Sequence, residues 1–117
     1  IPNLVRPVGG LYNDLIIDTA AGSRKLVVLW SWQTDAKDWK KPPASKIAGT
    51  IKKTLKPGNI ILLHDWIGAE DITVSNTVSA LEDVMEYLSS NGYKCVTVSE
   101  LLYRSSQPMP EHINPFS

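Results

Sequence analysis

Three residues whose charged or titratable side chains could form a reactive site come at or after the ends of short apolar segments: Arg6, Asp38 and His64. An imidazole can transfer protons near neutral pH, and a carboxylate beside it orients the ring and raises its basicity. A guanidinium can hold a second carboxylate through two parallel hydrogen bonds. These residue types favour an acid–base site with His64 at its centre.

His64, Arg6 and the neighbouring Asp65 also have structural interpretations. His64 could be satisfied by a backbone carbonyl, Arg6 could form a buried ion pair, and Asp65 could cap the turn that follows His64. The functional interpretation is favoured because the ends of three successive predicted strands would meet at one rim of a sheet.

Aromatic residues and glycines accompany the same positions. Trp39 and Trp66 could form a platform for sugar rings at the rim, although buried tryptophans more often fill a core. Gly9 and Gly10 could let the backbone approach a ligand and present an N–H group to a developing oxyanion. The alternative for the two glycines is a tight turn between a strand and a helix.

The elements that would position these residues alternate along the chain. Four apolar segments have the composition of strands buried on both faces: 4–6, 26–32, 59–64 and 94–98. Between them lie helical patterns. Ile47, Ile51 and Leu55 form one apolar stripe after Pro42-Pro43, and a weaker helix covers about 12–21.

A further helix is predicted before Asn91-Gly92, which suits a left-handed C-terminal cap. Its apolar stripe, and so its expected buried face, consists of Val78, Leu81, Met85 and Leu88. This alternation of strands and helices predicts an α/β fold with a parallel sheet.

The composition excludes several functional classes. The 117 residues include 12 Lys and Arg against 12 Asp and Glu, two His and one Cys. A zero net charge argues against a nucleic-acid partner, because phosphate binding relies on an excess of basic residues. One cysteine excludes an internal disulfide and a multi-cysteine zinc site. No apolar run approaches the roughly 20 residues that span a membrane.

Four motifs in this order resemble the second half of the polysaccharide deacetylase domain (NodB homology, carbohydrate esterase family 4). The family's Arg-Pro-Pro-Tyr-Gly-like loop corresponds to 6–10, and its Trp-Ser…Asp-x-x-Asp-Trp segment corresponds to 30–39. Its Leu-x-His segment corresponds to 62–64, and its last strand and helix correspond to 92–102. The sequence departs from the family pattern at Val8 and Gly9, where Pro and Tyr are usual.

The resemblance implies a role for each matched residue. His64 would be the general acid that protonates the leaving amine, Asp38 would tune His64, and Arg6 would anchor the catalytic-base Asp. Among substrate-binding residues, Leu62 would line the pocket for the acetyl methyl group and Trp39 would wall the sugar groove. The backbone N–H of Gly9 would help to stabilise the oxyanion.

The resemblance also implies the fold. We expect the C-terminal half of a distorted (β/α) barrel over residues 1–104, with about four parallel strands alternating with helices, and an irregular tail over 105–117. The family's first half carries the catalytic-base Asp and the ligands of a divalent metal, zinc or similar. The two histidines of this chain have no metal-ligand spacing, so we expect those ligands outside it.

The activity implied is metal-dependent N-deacetylation of N-acetylglucosamine-type residues in peptidoglycan or chitin-like glycans. Two alternatives stay open, an O-acetyl (xylan-type) esterase and an inactive carbohydrate-binding remnant. A half-barrel exposes strand edges, so we expect a partner: the N-terminal half as a separate or missing chain, or another copy. The family implies a secreted or cell-surface location.

Overall fold

The computed structural model describes residues 3–65 and 75–106 of the chain. These residues belong to two compact units, Ile1–Trp30 and Ser31–Ser117, which are described separately. No helix in the described ranges is both long and apolar enough to cross a membrane.

The first unit is a βαβ arrangement. Strands β1 (Leu4–Val5) and β2 (Leu26–Val27) pair in parallel, with Leu4 opposite Leu26 and Val5 opposite Val27. Helix α1 (Asp14–Gly22) connects them. The helix begins where the sequence supplies a cap, because the side chain of Asn13 accepts a hydrogen bond from the Ile16 N–H at 3.0 Å.

The second unit is built around two packed helices, α2 (Ala44–Thr54) and α3 (Asn76–Ser90). Pro43 precedes the first residue of α2, as its fixed φ angle allows, and Gly92 follows α3 with a φ of 74°. A shorter helix, α4 (Val98–Ser106), ends the described part of this unit. Residues 107–117, most of the predicted tail, lie outside the described residues.

The core of the second unit lies between α2 and α3. It consists of buried aliphatic side chains from both helices: Ile47, Ala48, Ile51, Ala80, Val84 and Leu88. Ile47 and Ile51 belong to the predicted stripe of α2 and are fully buried. The predicted stripe of α2 is therefore confirmed for these two residues.

The predicted buried face of α3 is wrong, apart from Leu88. Val78, Leu81 and Met85 are about half exposed, and the buried face lies one residue earlier in the sequence. That face carries Thr77, Ala80, Val84 and Leu88. Ala80, Val84 and Leu88 pack in the core with α2, and Thr77 bonds to Asp38, so packing and a polar contact outweigh the greater apolar area of the other stripe.

The α/β class with parallel strands is confirmed, but two of the four predicted segments form no strand among the described residues. In the segment 59–64, side chains take the place of a strand ladder. The N–H of Ile60 donates to Ser31 Oγ at 2.9 Å, and the N–H of His64 donates to Asp38 Oδ2 at 2.7 Å. In the segment 94–98, Val98 is already the first residue of α4.

The corrected face of α3 can be tested with two valines of the same helix. Val84→Ala should lower the free energy of unfolding by about 2 kcal/mol, because it removes a buried side chain and leaves a cavity. Val78→Ala, the matched control at a half-exposed position, should change it by less than about 0.5 kcal/mol. Urea denaturation measures both, and equal losses would contradict the assignment.

Candidate active site

A buried carboxylate lies at the centre of the candidate site in the second unit. Asp38 is 1% exposed and is the first residue of a short 3₁₀ helix, Asp38–Lys40. Lys37, directly before it, has a left-handed φ of 50°. Asp35 supports this turn, because its Oδ1 accepts the Lys37 N–H at 2.9 Å. The turn directs the Asp38 side chain into the protein.

Asp38 accepts hydrogen bonds from three groups. Its Oδ1 lies 2.7 Å from Nδ1 of His64, and its Oδ2 accepts the backbone N–H of His64 at 2.7 Å. The hydroxyl of Thr77 donates to the same Oδ2 at 2.8 Å. Three donors offset the loss of water around this buried group.

The pair with Asp38 determines which nitrogen of His64 can act on a ligand. An ionised carboxylate only accepts hydrogen bonds, so Nδ1 carries a proton in this contact and Nε2 is left for proton exchange. The side chain of His64 is 37% exposed, whereas that of Asp38 is 1% exposed. The imidazole is therefore bonded to a buried carboxylate through Nδ1, while the rest of the ring is accessible to solvent. A group that transfers protons to a ligand requires both.

The predicted substrate-binding residues of this unit are Trp39, Leu62 and Trp66. Trp39 is 51% exposed, and Nζ of Lys40 lies 5.2 Å from the centroid of its ring. Leu62 is half-buried, two residues before His64 along the chain. Trp66 lies outside the described residues.

Arg6 and Gly9 belong to the first unit. Arg6 is exposed rather than buried; its Nη2 donates to the Leu29 carbonyl at 3.2 Å, and its guanidinium lies 5.7 Å from the Trp30 ring centroid. Gly9 is exposed and lies in the 3₁₀ turn Val8–Gly10 with a φ of 66°. The roles of both residues stay predictions, and so does their meeting with His64 at one rim.

Gly10 has a packing role that the sequence only partly indicated. It is buried, with a φ of 70°, and a Cβ atom built there would lie 2.5 Å from Cη2 of Trp30. The turn after β1 therefore needs glycine for two reasons, a left-handed backbone and close contact with an indole. Of the alternatives for the Gly9-Gly10 pair, the tight turn fits Gly10.

Thr77 was missed by the sequence analysis. It is 6% exposed and is the one residue of α3 whose side chain is described as bonded to Asp38. The available signal was its spacing, because Thr77 precedes Ala80, Val84 and Leu88 on one helical face. A polar residue at the start of a buried face needs a polar partner, and Asp38 is that partner.

The described residues contain few side chains that could bind a metal ion together. Across 3–65 and 75–106, no three His, Cys, Asp or Glu side chains come together in a way that could hold a metal ion. The described part of the chain thus does not fit a metal centre.

The chain is similar in sequence and in structure to known proteins. No family model matches the chain. A peptidoglycan-N-acetylglucosamine deacetylase of Bacillus cereus is 45% identical over 101 residues, covering 86% of this chain and 46% of the relative. A solved family 4 carbohydrate esterase from Streptomyces lividans superimposes with a TM-score of 0.69 at 26% identity, over 83% of this chain and 45% of the esterase.

The chain belongs to the polysaccharide deacetylase family, carbohydrate esterase family 4. It spans about half the length of these relatives, consistent with the C-terminal half of the deacetylase domain. A bifunctional xylanase/deacetylase of Pseudobutyrivibrio xylanivorans is also similar, 45% identical over 65 residues, which are 55% of this chain and 10% of that protein.

The packing of Gly10 can be tested by adding one methyl group. Gly10→Ala should lower the free energy of unfolding by about 1–3 kcal/mol, because alanine meets Trp30 and disfavours the left-handed backbone. Gly22→Ala is the control, since a Cβ at Gly22 has open space, and it should be neutral or slightly stabilising. Thermal unfolding distinguishes them; an unchanged Tm for Gly10→Ala would contradict the contact.

The central position of Asp38 predicts a large loss on truncation. Asp38→Ala should cost about 3 kcal/mol of unfolding free energy, because donors of His64 and Thr77 would be left without a buried acceptor. Asp83→Ala removes an exposed carboxylate paired with Lys52 and should cost less than about 1 kcal/mol. Chemical denaturation measures both, and similar small losses would show that Asp38 does not organise the site.

Proposed function

We propose that this chain is the C-terminal portion of a metal-dependent polysaccharide N-deacetylase that hydrolyses the acetamide of N-acetylglucosamine-type residues in peptidoglycan or chitin-like glycans. The observation that carries the proposal is the Asp38–His64 pair, a buried carboxylate 2.7 Å from an accessible imidazole. The chain's family membership supports the reaction class.

His64 would act as the general acid. Water adds to the acetamide carbonyl, the C–N bond breaks, and the nitrogen needs a proton because an amide anion is a very poor leaving group. Nε2 of His64 would give that proton, yielding acetate and a free amino sugar. Asp38 would stabilise the imidazolium, in which both ring nitrogens carry protons.

The remaining residues would bind substrate or organise the other half of the site. The exposed ring of Trp39 suits a wall of the sugar groove, directly next to Asp38 in the chain. Leu62, and Trp66 as a further aromatic, would contact the acetyl group and the sugar. Arg6, whose guanidinium is exposed, would anchor a catalytic-base carboxylate, and the Gly9 N–H would contact the oxyanion.

The complete enzyme would need a partner for this chain. Large apolar side chains of the first unit are exposed, among them Val8, Leu11 and Leu15 at 95%, 76% and 72%. Exposed apolar side chains of this size support an interface with another chain. We propose that the N-terminal half of the domain covers it and brings the base and the ligands of a divalent metal, zinc or similar. Self-association is the alternative. A secreted or cell-surface location would follow from a cell-wall substrate.

A second candidate function has the same fold but hydrolyses an ester bond instead of an amide bond. The similarity to a bifunctional xylanase/deacetylase favours an O-acetyl esterase, in which His64 would protonate an alkoxide instead of an amine. The flat, exposed Trp39 is compatible with either sugar.

The proposed function can be tested in a chimaera with the N-terminal half of the Bacillus cereus deacetylase, supplied with a divalent metal. We expect acetate release from N-acetylglucosamine oligomers, and a loss of about 10²–10⁴-fold in kcat for His64→Ala, the usual contribution of a general acid. His112→Ala, at the other histidine of the chain, should leave the rate unchanged.

The outcomes separate the candidates. Full activity in His64→Ala would overturn the mechanism. Acetate release from O-acetylated xylan oligomers, with none from N-acetyl oligomers, would establish the esterase. Glycan binding without acetate release from either substrate would indicate an inactive binding protein.

A further inference from the structure

The start of helix α3 is attached to the loop that carries Asp38 at two points. Thr77, the second residue of α3, donates its hydroxyl to Asp38 Oδ2 at 2.8 Å. Asn76, the first residue, donates its side-chain amide to the Pro42 carbonyl at 2.9 Å. These two bonds attach the first turn of α3 to that loop.

Thr77 is not explained by packing alone. Its side chain is buried, on the same face of α3 as Ala80, Val84 and Leu88, and a buried hydroxyl without a partner would be costly. A valine has nearly the same shape and would fill this position without that requirement. The hydroxyl therefore has its use at Asp38.

The two oxygens of Asp38 have separate tasks. Oδ2 is bound by the Thr77 hydroxyl and the His64 backbone N–H, and Oδ1 faces Nδ1 of the imidazole. Without Thr77, both carboxylate oxygens would bond only to His64, and the carboxylate could turn about its Cβ–Cγ bond as that residue moves. The Thr77 hydroxyl comes from a different part of the chain, so it fixes Oδ2 independently of His64 and restricts that movement.

We propose that Thr77 is a positioning residue: by binding Oδ2 of Asp38 it keeps Oδ1 in line with Nδ1 of His64, so that Nδ1 holds its proton and Nε2 faces the ligand. The effect on the ring follows from the geometry alone. The effect on catalysis rests on the proposed deacetylase function. Helix α3 thereby contributes to the site through its first turn.

The effect on the ring can be measured in the 117-residue chain without substrate. With ¹⁵N-labelled histidine in a His112→Asn background, His64 is the only histidine, and the solvent exchange rate of its Nδ1 proton can be followed by NMR. Thr77→Val should accelerate this exchange roughly tenfold, since a hydrogen bond to a charged group is lost. Thr77→Ser, which keeps the hydroxyl, should restore the parent rate.

Two controls define the range of the experiment. Thr34→Val removes the hydroxyl of another buried threonine, bonded at 3.1 Å to the Ser31 carbonyl, and should leave the His64 proton unaffected. Asp38→Asn should abolish the Nδ1 proton, because its oxygen stays with the two donors at the Oδ2 position and its NH₂ donates to Nδ1. An unchanged exchange rate in Thr77→Val would overturn the proposal.

If Thr77→Val does not fold, the parent chain still decides the question. A Thr77 hydroxyl that donates to Asp38 exchanges slowly enough to give an NMR signal, and its selective saturation should reach the His64 backbone amide nearby. Rapid exchange of that hydroxyl with water would also overturn the proposal.

The consequence for catalysis is measured in the chimaera. Thr77→Val should lower kcat about tenfold with KM within about twofold, because the general acid is misaligned while substrate contacts are kept, and Thr77→Ser should recover kcat. An equal kcat in Thr77→Val would refute the catalytic part. A parent chimaera that releases no acetate would refute the proposed function, whereas the exchange measurement would still decide the role of Thr77.

Discussion

The second unit depends on one buried carboxylate. Asp38 is removed from water at a cost that only hydrogen bonds can offset, and its donors come from two distant parts of the chain, His64 and Thr77. Satisfying this group therefore brings the loop at 35–40, the segment that ends at His64 and the start of α3 to one point. The same bonds leave Nε2 of His64 available, so the need to stabilise a buried charge and the geometry of a proton donor are met together.

The same constraint explains a departure from regular structure. The segment 59–64 has the apolar composition of a strand, but the N–H groups of Ile60 and His64 bond to the side chains of Ser31 and Asp38. A backbone N–H can donate to a strand neighbour or to a side chain. Here the side chains take these donors, and the regular ladder is given up at the positions that orient the histidine.

Local sequence signals placed the helices well. Pro43 precedes α2 and Gly92 follows α3 in the left-handed conformation, as the backbone preference of each residue predicts. Helix α1 begins at Asp14, after the Asn13 cap, two residues later than the predicted start. The face of α3 was misjudged because apolar area favours the stripe through Leu81, whereas contact with α2 favours small side chains. That choice depends on a neighbouring helix, which no local pattern contains.

By itself, the sequence determined the α/β class and the order of the helices, because residue type, apolar periodicity and capping are local properties. Its motifs resembled the deacetylase family, and they predicted Asp38 and His64 as candidate site residues. Only the tertiary structure decided that Thr77 joins the pair, that α3 turns its small residues inward, and that Gly10 packs against Trp30. Each of these depends on contact between residues far apart in the chain. Such contacts form only when packing and the satisfaction of buried polar groups are resolved together.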